Sequence, residues 1–451
     1  MNAEIIPPLF GPLHALAEIE IMSHAPAQTR IVTTDSYYQR FGALEPQIHQ
    51  APWPDLGLIV VIPCFDEPDL LRTLNSLKAC HPPQCAVEII VVINSSETAS
   101  QEVLSRNRET LIQGLEWSTA NSTPEFQCFF LHFPSLPAKQ AGVGLARKIG
   151  MDEAARRFDQ LDRANGVIVC LDADSECEPN YLTALELHFQ QHKRTPGCSI
   201  TFEHPLNGPL PSEIYRAITL YELHLRYYVL GLRLAAFPHA FHTIGSSMAV
   251  RSGIYKKQGG MNKRQAGEDF YFLHKIIPLG GFTELNSTHV VPSPRASHRV
   301  PFGTGKAVQQ HLEHQELTTY PLEAFLDLHA FFRAIQEHGA NAFQDPRSLP
   351  ASISSYLAAR DFVQALQEIV ANTTSRDAFL KRFFHWFNGF EAMKFVHHAR
   401  DKFYGEREIE AETRRLAAMV WPNETLPRVG ELQELLIWLR AREKAGELLA
   451  V

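Results

Sequence analysis

Two aspartates one residue apart close an apolar run, Val167-Ile168-Val169-Cys170-Leu171-Asp172-Ala173-Asp174, and the chain then turns polar through Ser175, Glu176 and Glu178. On an extended backbone alternate side chains share a face, which would turn both carboxylates into one cleft at a strand's end. Paired carboxylates there suit a hard divalent cation that bridges phosphate oxygens. An acidic turn after a buried strand would carry the same letters. Upstream, Lys139, Arg147 and Lys148 supply positive groups beside Gly142-Val143-Gly144 and a helix start. Backbone N–H groups at such a start favour anions. For Lys148 a solvated helix face is the simpler reading. Downstream, Gly259-Gly260-Met261-Asn262 leads to Gly267-Glu268-Asp269-Phe270. Acids at the head of an apolar helix either cap it or place a general base in the cleft.

The elements around these residues alternate in type. Leu58–Ile62 is a continuous apolar, β-branched run that stops at Pro63, as expected of a strand buried on both faces. Glu67-Pro68-Asp69 opens a helix over Leu70 to Leu77, and Val87–Ile93 and Phe126–Phe133 read as two further strands. A helix over about 98–116 separates those two, and another, Leu145–Phe158, precedes the strand with the aspartates. Strands alternating with helices predict an α/β fold on a mixed, mainly parallel sheet, with ligands at the carboxyl ends of the strands. That rule sets Asp66, Asn94, Lys139 and Asp172 on one rim. Further strands are expected near Cys198–Phe202 and Ala249–Arg251. Beyond residue 306 the runs 322–338, 352–371, 376–401, 406–420 and 430–449 read as amphipathic helices. The expected organisation is an N-terminal extension over 1–55, a main domain over 56–305 and a helical C-terminal region over 306–451.

As an ordered set, these motifs resemble family 2 glycosyltransferases of the GT-A fold. The resemblance runs from about Leu58 to Gly281 and rests on Ile62-Pro63-Cys64-Phe65-Asp66-Glu67, Lys139 through Arg147, Asp172-Ala173-Asp174 as the family's Asp-x-Asp, and Gly267-Glu268-Asp269. It implies that Asp66, Glu67, Asn94, Lys139, Arg147 and Asp172 bind the nucleotide-sugar donor. It also implies that Asp174, with Asp172, ligates Mn2+ or Mg2+, and His298, with His289 behind it, is the candidate for a further ligand. Asp269 would deprotonate the acceptor hydroxyl, supported by Glu268. The implied reaction is direct displacement at the anomeric carbon, with inversion, using a UDP- or GDP-sugar and an acceptor that the residues do not name. Three features differ from the family's usual pattern. Asp66 stands where Asn is common, and Ile93-Asn94-Ser95-Ser96 lacks the acidic residue common there. The Gln-x-x-Arg-Trp motif and membrane helices of processive synthases are absent, which points to transfer of one or a few sugars. The competing readings are a nucleotide-binding protein of the same fold without transferase activity, a sugar-phosphate nucleotidyltransferase, and a phosphatase using Asp172-Ala173-Asp174-Ser175.

Composition bounds the partners. The chain of 451 residues carries a formal net charge of -8, against the basic surface that nucleic-acid binding needs. The N-terminus lacks the basic start and apolar core of a signal peptide, and no apolar run reaches a membrane span. The seven cysteines form no Cys-x-x-Cys pair, and Cys80, His81 and Cys85 lack a downstream partner pair for zinc. Reduced thiols and a cytoplasmic protein are expected. Trp438 with Leu432, Leu435, Leu436 and Leu439 forms a stripe that is read as internal packing, with contact to a membrane surface or a partner left open.

Overall fold

The computed structural model describes residues 4–5, 36–265, 267–297, 303–314, 317–343 and 349–446. The chain forms two compact units, the first running to Cys198 and taking in Gly245–Phe272, the second comprising Ser199–Ile244 and everything from Leu273 on. The division therefore does not fall at residue 306. The strand Met248–Arg251 pairs with Val167–Cys170 and so belongs with the first unit. The helix Ser212–Leu234 buries Leu223 and Tyr227 with Phe325 and Phe331, which draws it into the helical unit.

In the first unit the sheet is built from β1 (Leu56–Cys64), β2 (Ala86–Ser96), β3 (Phe126–Leu136), β4 (Val167–Cys170) and β5 (Met248–Arg251). The two-residue strand Glu4–Ile5 precedes β3 at the edge, and the order continues β3-β2-β1-β4-β5. β1 pairs in parallel with β2 (Ile62 opposite Val91) and with β4 (Val61 opposite Cys170), and β2 pairs in parallel with β3. β5 runs antiparallel to β4. The α/β class and the mixed, mainly parallel sheet expected from the alternation of elements are thus observed. β1 and β2 are buried along almost their whole length, as their continuous apolar runs require when helices cover both faces.

Three helices return the chain between parallel strands: α1 (Leu70–Lys78), α2 (Gln101–Asn121) and α3 (Val143–Gln160). Ser100 caps α2 by accepting the Val103 N–H. α3 packs on β1, and a Cβ at Gly150 would collide with the Val61 side chain. Its charged residues are not a solvated face. Lys148 is buried, as are Arg147, Asp152, Glu153 and Arg157. Each has a specific partner, as buried charge demands. Lys148 Nζ donates to Asp152 at 2.7 Å, and the Tyr37 and Tyr255 hydroxyls donate to the same carboxylate. Arg157 grips Glu88 of β2 with two nitrogens, and Glu153 accepts the backbone N–H groups of Gln47 and Ile48. The segment before β1 therefore packs on α3, which is why that helix could not be read as amphipathic.

In the second unit, Ser199–Phe202 continues a strand that begins at Gly197 and lies beside Thr283–Pro292, with the Glu203 N–H donating to the Val290 carbonyl. The helix Leu322–His338 has the bounds expected from its pattern. The expected helices 352–371 and 376–401 are each broken, into Ala351–Ala358 and Phe362–Ala371, and into Arg376–Trp386 and Gly389–Ala399. At the second break the Asn388 side chain accepts the N–H groups of Phe390 and Glu391, a capping bond that starts a new helix. Leu432, Leu435, Leu436 and Leu439 are buried, and Trp438 packs edge-on against Trp421. The stripe is internal packing. Among the described residues no helix is long and apolar enough to cross a membrane.

Candidate active site

The parallel register brings the carboxyl ends of β1, β2 and β4 to one rim of the first unit, because Cys64 lies opposite Ile93 and Val61 opposite Cys170. β1 ends in a tight turn in which Asp66 has φ of 51°, the left-handed region that Asp tolerates better than most residues. Asn107 of α2 holds that turn, accepting the Asp66 N–H at 2.9 Å and donating to the Asn94 carbonyl at 3.0 Å. The Asp66 carboxylate pairs with Arg106 at 2.5 Å and keeps 21% of its surface exposed. Glu67 is buried, and its carboxylate accepts the Asp69 N–H while its carbonyl accepts from Thr110. Asn94 is buried at the end of β2, and Lys139 is exposed on the loop after β3.

A second cluster centres on Arg147, which is 2% exposed. One terminal nitrogen donates to Asp172 at 2.6 Å and the other to Glu268. Arg147 therefore joins the Asp-x-Asp strand to the Glu268–Asp269 pair, and a planar guanidinium is the group with the fork to do so. Burial alone would lower its affinity for a proton, but the charges of Glu268 and then Asp172 outweigh this and hold it firmly protonated. A Cβ at Gly245 would come within 2.5 Å of the same guanidinium, so only glycine leaves room for it. Glu268 is itself buried, which pushes its carboxyl up to about 7 against the opposing pull of Arg147. Asp269, half-buried at the first turn of the helix Glu268–Ile276, is also pushed up, by burial first.

Asp172 keeps 41% of its side-chain surface exposed despite the bond to Arg147, and Asp174 is half-buried two residues on. α1 braces the loop between them: the buried Thr73 hydroxyl donates to the Ala173 carbonyl at 2.8 Å, and Arg72 pairs with Glu176. The glycines of Gly142-Val143-Gly144 have a different cause from the one their spacing suggested. A Cβ at Gly142 would meet Gln265 Cα at 2.9 Å, and one at Gly144 would collide with the Arg264 carbonyl. They admit a close crossing of the segment before Glu268, whose amide Gln265 Nε2 also donates to Ala138.

The structure thus brings Arg147, Asp172, Glu268 and Asp269 together and sets Asp66 and Asn94 on the same rim. Read from sequence as a cation for donor phosphate, Arg147 has both terminal nitrogens on carboxylates. His298 lies outside the described residues, and His289 sits in the second unit with Glu203 at 4.0 Å. Thr73, Arg106, Asn107 and Gly245 were not legible as site residues. The first three sit in ordinary helix patterns, and Gly245 follows no motif. Among the described residues no group of three or more His, Cys, Asp or Glu could hold a metal ion. The donor chemistry of Asp172 and Asp174 nevertheless fits a hard cation that takes its remaining ligands from phosphate and water.

A carboxylate-rich rim at the carboxyl ends of parallel strands lies where open α/β sheets take their ligands. Residues 59–259 match the model of Glycosyl transferase family 2. No curated protein matches the chain. Among solved structures it is similar to Staphylococcus aureus TarS 1-349 in complex with UDP-GlcNAc, at 12% identity and a TM-score of 0.38, over 74% of this chain and 91% of that one. It is also similar to the mannosyltransferase PcManGT from Pyrobaculum calidifontis in complex with GDP-Man and Mn2+, at 15% identity and a TM-score of 0.33, over 86% and 94%.

Proposed function

We propose that the protein transfers a sugar from a nucleotide-sugar donor, a UDP- or GDP-sugar, to an acceptor hydroxyl, with a divalent cation and with inversion at the anomeric carbon. The observation that carries this reading is the buried Arg147, which ties the Asp172 strand end to Glu268 beside Asp269 in a chain whose residues 59–259 match the family 2 model. The donor would lie across the rim, its base and ribose near Asp66 and Asn94 and its diphosphate toward Asp172, Asp174 and the exposed Lys139. Asp174 and Asp172 would hold Mn2+ or Mg2+, and when bound that cation would offset charge on the departing diphosphate. Asp269 would accept the acceptor's hydroxyl proton as the oxygen forms its bond to the anomeric carbon. The bond from that carbon to the diphosphate breaks, and the nucleoside diphosphate leaves. Glu268, fixed by Arg147, would orient the acid pair. The missing Gln-x-x-Arg-Trp motif supports non-processive transfer, and the seven free cysteines support a cytoplasmic setting.

The test is Asp269→Asn, which keeps the shape of the side chain and removes the base. Donor binding by calorimetry should stay within about threefold of wild type while transfer falls by roughly 100-fold or more. Near-normal turnover in this variant would remove Asp269 from the base role.

A further inference from the structure

The loop that carries Asp174 meets α1 through a pair of thiols that the transfer chemistry does not use. Cys80 lies two residues past the end of α1, and Cys177 three residues past Asp174. Their Sγ atoms are 3.6 Å apart, and the Ser76 hydroxyl lies 3.6 Å from Cys177 Sγ. A disulfide requires about 2.05 Å between sulfurs, so closing the bond calls for a movement of roughly 1.5 Å. Cys80 is buried, at 8% exposed, and Cys177 is half-buried, so the pair is largely enclosed with Cys177 the more exposed of the two. The other cysteines of comparable interest are poor candidates. Cys128, Cys170 and Cys198 are fully enclosed, and burial pushes their thiols up, as it does that of Cys85. Cys80 goes the other way, lowered by the hydrogen bond with Cys177 ahead of the opposing effect of burial.

We propose that Cys80 and Cys177 form a dithiol modification site, oxidised by a peroxide to a reversible disulfide that tethers α1 to the Asp174 loop. The Cys80 thiolate sulfur attacks one peroxide oxygen and the O–O bond breaks. This leaves a sulfenic acid on Cys80, and the departing oxygen takes up a proton to leave as water. Cys177 sulfur then attacks the sulfenic sulfur, the S–S bond forms, the S–O bond breaks, and the hydroxyl leaves as a second water with the Cys177 proton. Two thiols lose two electrons in all, and one hydrogen peroxide gains them. The tether replaces weak thiol contacts at a place where Thr73 and Arg72 of α1 already grip the loop at Ala173 and Glu176.

The test uses the full chain, reduced, treated with a small excess of hydrogen peroxide, alkylated and digested without reductant. Peptide mass mapping should show one linked species joining the Cys80 and Cys177 peptides, lighter by two hydrogens. Of the seven thiols, five should remain alkylated, and dithiothreitol should restore the other two. In Cys80→Ser the linked species should vanish. Three results would overturn the proposal: both cysteines alkylated as before treatment, both carried to sulfinic or sulfonic acid without a link, or either linked to another cysteine. The wild-type map decides the question by itself if Cys80→Ser fails to fold.

Discussion

At the scale of single residues the site depends on Arg147. It is the only described side chain that bonds both the Asp172 strand end and the Glu268 helix start, and it does so from within the protein. Removing one partner of a buried ion pair leaves the other charge uncompensated and typically costs ~3–5 kcal/mol. Arg147→Met should therefore lower the urea midpoint of unfolding substantially. Arg147→Lys should recover only part of the loss, since one ammonium cannot span two carboxylates as a guanidinium fork does. A midpoint unchanged in Arg147→Met would mean that the acids are held by something else. Thr73 makes a subtler claim, because its hydroxyl braces the carbonyl between the two aspartates. Thr73→Val keeps the shape and removes one neutral hydrogen bond, worth about 1 kcal/mol. The larger effect should fall on Mn2+-dependent binding of nucleoside diphosphate, weakened several-fold with metal-free binding unchanged. Equal loss in both conditions would make Thr73 a packing residue only.

At the scale of elements, the strand ends were legible because buried parallel strands are continuous apolar runs with abrupt polar stops. β1, β2, β3 and β4 all announced themselves in that way, and so did the acidic pair after β4. What could not be read was anything set by contact between segments distant in the chain. α3 carries Arg147, Lys148, Asp152, Glu153 and Arg157 all buried, a pattern that imitates a solvated face until Glu88, Tyr37, Tyr255 and the backbone near Ile48 close around it. Gly142 and Gly144 imitated a phosphate turn, whereas their missing side chains make room for Arg264 and Gln265. Gly144→Ala tests that explanation. Its Cβ would collide with a carbonyl, not with a pliable side chain, so overpacking should cost roughly 1–3 kcal/mol. The midpoint of thermal unfolding should fall, and amide exchange should quicken in the 262–265 segment. A variant as stable as wild type, with unaltered exchange, would contradict the close crossing.

At the scale of the whole molecule, both units bury histidines in the neutral form. Burial lowers His188 to about 4, with His192 and Arg251 adding to the effect; burial also lowers His224 to about 4, with His397 adding, and His239 to about 4, with His274 and His385 adding. Each folded value lies below the ordinary value of 6.5, so between those limits the unfolded chain binds more protons than the folded one. The stability these groups contribute is complete above pH 6.5 and is lost as pH falls toward 4. Urea midpoints measured across that window should drop steadily, and replacing His188 by Gln should flatten the slope. A slope that persists undiminished would assign the acid sensitivity to other groups. The reading of the molecule as a metal-dependent glycosyltransferase, finally, rests on Asp174 and Asp172 acting together on a diphosphate. The most direct measurement is titration of UDP and GDP into wild type and Asp174→Ala, with and without Mn2+, followed by calorimetry. One of the two nucleotides should bind wild type at least tenfold more tightly with Mn2+, and Asp174→Ala should abolish that gain; binding that is equally metal-dependent in the variant would contradict the account.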